Sequence, residues 1–141
     1  MQIDNDPIKE ESELLSYTLR VYHDFYSKND ITLLLASLAP DVSWCGGGPQ
    51  MMRTGRSEVM WFFVSTKEEM IPFAIHNETT AVHRLSADFI NIIIASDIQT
   101  LPSTPLFLKE HLKCDVLYRK KSGLCQWYGM GNCPHQQFCF I

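Results

Sequence analysis

No apolar run in the chain approaches the ~20 residues that a membrane-spanning helix needs, so no membrane partner is expected. Basic residues are the minority, with 12 Lys and Arg against 16 Asp and Glu and a net charge of −4. Nucleic acid is therefore not an expected partner, since it demands a basic footprint. The one basic cluster, Arg119-Lys120-Lys121, falls at a turn and reads as solvated surface. The opening residues MQIDNDPIKEESE are acidic and polar, the reverse of a secretory signal, which sets the expectation of a cytoplasmic protein. Cysteine occurs five times, at Cys45, Cys114, Cys125, Cys133 and Cys139, but never at the two-residue spacing of a zinc knuckle or redox motif. These thiols are expected to be free and to pack as small hydrophobes. Cys133, His135 and Cys139 match no standard zinc spacing, so neither a metal nor a cofactor is expected. Repeats, linkers and low-complexity segments are missing too.

What is present is the composition of an ordinary globule, 45% hydrophobic and 20% charged. A chain of 141 residues makes one domain, which buries roughly two-thirds of its unfolded surface. Residues 10–134 read as its core and 135–141 as an apolar tail.

Asp6-Pro7 is a helix start: Asp6 caps, and Pro7 takes the first helical position, where no donor is needed. Leu15, Leu19, Tyr22 and Tyr26 recur at helical spacing, widened by Leu14, Val21 and Phe25, to about Lys28. Asn29-Asp30 stops this helix. Asp30 caps a short second helix with Ile31, Leu34, Leu35 and Leu38 on its buried side, ended by Pro40. Asp41 to Cys45 reads as a strand broken by Gly46-Gly47-Gly48-Pro49, and 51–55 as loop or a brief extended return. Arg56 to Met70 reads as a third helix.

After Met70 the period changes to that of strands. Segments 77–86 and 89–98 are the first two. The run Ile92-Ile93-Ile94-Ala95 suits a strand covered on both faces. From Leu106 to Tyr118 alternation puts Leu112, Cys114, Val116 and Tyr118 on one face. Lys113, Asp115 and Arg119 lie on the other. Lys121-Ser122-Gly123 is a hairpin turn, and 124–133 the last strand. Helices ahead of a meander predict an α+β domain of two layers: three helices on one side of a curved, mostly antiparallel sheet, with a hollow between them. The apolar run on the second strand points to a partner sheet, most simply a second copy of the chain in a homodimer.

Short catalytic constellations are weak. His23 and Asp24 are helix neighbours and do not face each other. His76 and His83 differ in strand parity. The glycine loop has neither the lysine nor the hydroxyl of a phosphate loop, and Ser43 lacks a nucleophile-elbow setting.

Helix 1 ending in FYSKND, then ITLLLASLAPDVSW, the glycine loop, TGR and a third helix resemble the nuclear transport factor 2-like superfamily, closest to its SnoaL-like branch, which includes ketosteroid isomerase. QWYGMGNCP is similar to the closing strand of such domains. The resemblance implies a cone with a deep pocket and a homodimer through the sheet, but no single reaction. It places Tyr22 at the isomerase's donor tyrosine and Asp115 near the second donor, so these two are the catalytic candidates. The carboxylate base that the chemistry needs would fall at Gly46, which cannot take a proton. Relatives that carry a histidine and serine before the last proline have Met130 and Asn132 here instead. The expectation is a small, largely apolar ligand held by Tyr22, Tyr26, Trp44, Phe62, Phe63, Asp115 and Trp127 without strong catalysis. An isomerase, cyclase or dehydratase, or a pure dimerisation module, are the alternatives.

Overall fold

Asp6 begins the first element as its chemistry predicts. Its Oδ1 accepts the Ile8 N–H at 3.0 Å, and helix α1 runs Pro7–Lys28. A computed structural model describes residues 6–46, 52–103 and 107–133, the side chains of 132 and 133 excepted. Asn29 ends α1 in the left-handed conformation, φ 55°. Leu14, Thr18, Tyr22 and Tyr26 succeed one another every fourth residue along its buried side.

Helix α2 is Thr32–Ser37, and Asp30 Oδ1 accepts the Thr32 N–H at 2.9 Å. It ends three residues before Pro40. Strand β1, Leu38–Cys45, absorbs the proline instead. The residue before a proline disfavours the helical region, so the chain turns extended ahead of it. Pro40 then falls where the register of β1 against its neighbour shifts, a place that tolerates a missing donor.

The brief return is strand β2, Met52–Thr54. Gly55, at φ 85°, turns the chain into helix α3, Arg56–Thr66. This helix is shorter than the sequence suggests: Lys67–Glu69 tightens into a 3₁₀ turn. Strands β3 Phe73–Arg84, β4 Phe89–Thr100, β5 Lys109–Lys121 and β6 Leu124–Cys133 follow. The sheet order is β2-β1-β6-β5-β4-β3. All neighbours are antiparallel except β1 and β6, which run parallel, so the sheet is mostly antiparallel as expected.

β4 alternates strictly. Ile90, Ile92, Ile94 and Ile98 are buried, whereas Asn91, Ile93 and Ala95 on the outer face are only half-buried. The isoleucine run is thus fully buried on its inner side and half-buried on its outer one. Near the start of α1, Glu10 is buried between Arg84 at 3.1 Å and Lys120 at 3.6 Å, and Arg84 also meets Glu11 at 3.2 Å. No helix among the described residues is long and apolar enough to cross a membrane.

Candidate functional site

A cavity of about 340 Å³ lies between α1, α3 and the inner face of the sheet. The fourfold spacing of α1 delivers Thr18, Tyr22 and Tyr26 to it, with Val21 and Phe25 beside them. Trp44 enters from β1, Phe62 and Phe63 from α3, and Trp127 and Met130 from β6. Ile94, Cys114 and Val116 project from the inner face of β4 and β5. Thr66, Met70, Gly46 and Gly131 complete that part of the lining.

The aromatic rings brace one another. Trp44 and Phe62 lie 4.4 Å apart at 33°, and Phe63 stands edge-on to Trp44 at 5.5 Å and to Phe25 at 5.6 Å. Tyr22 and Tyr26 are 4.8 Å apart. Such offset and edge contacts stiffen the wall. The hydroxyls are engaged: Tyr22 Oη shares a 2.5 Å hydrogen bond with Ser96 Oγ. Thr18 Oγ1 donates to the Leu14 carbonyl at 2.6 Å and lies 2.8 Å from Tyr118 Oη. Burial pushes the Tyr22 phenol far above its ordinary pKa, with Ser96 offsetting only part of the rise. Burial likewise pushes the Cys114 thiol up to about 12.

Six of the seven expected ligand residues therefore meet at this cavity: Tyr22, Tyr26, Trp44, Phe62, Phe63 and Trp127. The seventh does not. Asp115 stands between Cys114 and Val116 on β5, and both of those face inward, so strand alternation sends Asp115 to the outer face. The two catalytic candidates, Tyr22 and Asp115, are on opposite sides of the sheet. Gly46 does border the cavity and offers no side chain. Among the described residues no carboxylate, imidazole, ammonium or guanidinium lines it. His23 pairs with Glu78 at 2.7 Å outside it.

Residues missed at the sequence level include Thr18, Cys114, Met130 and Ser96. The signal for Thr18 was its place on the Leu14–Tyr26 stripe. Cys114 was already on the apolar face of its strand. Ser96 is a lone hydroxyl within an apolar run, which by itself names no partner. Of Cys133, His135 and Cys139, which match no zinc spacing, the Cys133 side chain and the other two residues lie outside the described part, as do the tail 135–141 and the loop from Gly47 to Met51. Elsewhere among the described residues no cluster of three His, Cys, Asp or Glu side chains is arranged to hold a metal.

No family model matches this chain, and no curated protein matches it. Solved structures do match. A ketosteroid isomerase-like protein from Erwinia carotovora atroseptica superposes with a TM-score of 0.73 at 18% identity, over 95% of this chain and 100% of that one. A nuclear transport factor 2-like protein of unknown function from Pseudomonas putida gives 0.69 at 15% identity, over 93% of each chain. A domain of unknown function with a cystatin-like fold from Nostoc punctiforme gives 0.70 at 12%, over 91% of this chain and 78% of that one. The class is thereby defined: a cone-shaped α+β fold of the nuclear transport factor 2-like, cystatin-like kind. At these identities the likeness is one of fold.

Proposed function

We propose that this domain binds a small, largely apolar molecule in the cone cavity, as a homodimer and without strong catalysis. The observation that carries it is an aromatic-walled cavity of about 340 Å³ that no charged side chain among the described residues enters. Mostly apolar concave sites with a few convergent polar groups are how small-molecule pockets are built. Isomerase, cyclase or dehydratase chemistry needs a proton acceptor beside the substrate, and among the described residues no carboxylate or imidazole joins Tyr22 in the lining. The homodimer draws support from the half-buried outer side of β4 and β5, where Ile93, Ala95 and Leu117 lie together. We place the domain in the SnoaL-like branch on the FYSKND and TGR segments. Mass spectrometry of protein purified from cells and denatured in organic solvent tests the reading. A stoichiometric apolar compound, lost in a Trp44→Ala, Phe63→Ala variant that still folds, is expected. Absence of any such compound, together with no thermal shift from a library of apolar compounds, rejects it.

A further inference from the structure

We infer that the cavity takes only the uncharged form of its ligand, so that a weak acid binds as the protonated species and is rejected as the anion. This deepens the ligand-binding reading and rests on it. The inference starts from what the walls can offer a charge. A buried ion needs either an opposite charge or several hydrogen-bond donors aimed at it.

Among the described residues the candidate counter-charges are directed elsewhere. Asp115 and Lys113 belong to the outer face of β5. The Arg53 guanidinium lies 5.4 Å from the centre of the Phe62 ring but not in the lining, and it donates to the Met52 carbonyl at 3.0 Å. His23 and Glu78 are engaged with each other. Glu10, Arg84 and Lys120 form their own network near the start of α1.

Three hydroxyls of the lining are committed: Tyr22 shares its own with Ser96, and Thr18 and Thr66 donate to the carbonyls of Leu14 and Phe62. The Trp127 indole N–H is the exception, a buried donor without a hydrogen-bond partner among the described residues. One neutral donor does not hold a buried ion, and an anion there would still lack a cation among the described residues. The titratable groups in the lining with resolved shifts move the same way: burial raises both the Tyr22 phenol and the Cys114 thiol, so both stay neutral through the physiological range. The described residues of the wall therefore contribute no charge at any pH from mildly acidic to mildly basic. Any pH dependence of affinity across that span is the ligand's own.

The test uses 4-nitrophenol, whose phenol and phenolate forms differ in visible absorbance, and naphthalene as a hydrocarbon that carries no proton to lose. Binding is followed by calorimetry and by quenching of Trp44 and Trp127 in a Trp61→Phe background, since Trp61 is solvent-exposed on α3. Naphthalene is expected to bind with one affinity at every pH. The nitrophenol dissociation constant is expected to be flat below the probe's own pKa and to rise about tenfold per pH unit above it. Excess protein should shift the absorbance toward the phenol. A shift toward phenolate, or equal affinity for both forms, overturns the inference. Binding of naphthalene but of nitrophenol at no pH also overturns it while leaving the ligand-binding reading intact. Failure of both probes in a correctly folded protein counts against the ligand-binding reading itself.

Discussion

Asp115 is fully buried on the outer face of β5, and among the described residues neither carboxyl oxygen has a hydrogen-bond partner at good geometry. Desolvation pushes its pKa up, while the Lys113 charge and the nearby Asn91 amide offset only part of the rise. The folded state therefore holds this proton more tightly than the unfolded chain. Stability from this group is present at acid pH and is lost as pH climbs from the ordinary carboxylate value through the raised one. Asp115→Asn should remove that loss. Its denaturation free energy at neutral pH is expected to exceed wild type by about 1–3 kcal/mol, the difference vanishing in acid. Urea titrations of both proteins across pH would measure this, and a difference that is constant with pH would be evidence against the shift. Tyr22→Phe is the opposite case: it strands the buried Ser96 hydroxyl and should cost about 1–3 kcal/mol with little change in secondary structure by circular dichroism. At this scale the sequence was legible where parity applied. Alternation alone put Asp115 opposite Cys114 and Val116, and family resemblance, which put it in the pocket, was the poorer guide.

Helix α1 was legible from Asp6 to Asn29 because a cap, a proline, a fourfold stripe and a left-handed stop all agree locally. The β1 boundary was not, because what draws Leu38 into the sheet is its pairing with Trp127, a residue far along the chain. Glu10 is another long-range feature: a helix-start acid by sequence, it is a buried anchor between β3 and β5 in the fold. Glu10→Ala should leave Arg84 and Lys120 facing each other without their shared anion, at a cost of about 3 kcal/mol. Thermal melts of Glu10→Ala beside the control Glu58→Ala, an exposed acid in the first turn of α3, would separate the anchor from a generic helix-start effect. The β5–β6 turn places Ser122 and Gly123 at φ 53° and 78°, the pair of left-handed residues that a two-residue hairpin requires. Gly123→Ala has open space for its methyl but the wrong backbone, and should lose about 1 kcal/mol in the same melts.

For the whole molecule, layers, strand order after α3 and the hollow followed from periodicity, since helical and strand periods change over near Met70. What fills the hollow did not follow, because aromatic lining specifies shape and neutrality rather than one compound. Ile93→Lys on the outer sheet face is expected to convert the proposed dimer to a monomer by light scattering while leaving the thermal shift from naphthalene unchanged; a dimer that persists would move the interface elsewhere. The parallel pairing of β1 with β6 carries a last consequence, for assembly in time. Trp44 and Met130 are register partners although most of the chain separates them. Loop closure on that scale is slow, and the rate-limiting event in folding should be the zipping of the final strand against the first. A nascent chain still lacking β6 would present Trp44 and Phe62 without their neighbour strand, making that late interval the one in which chaperones matter most.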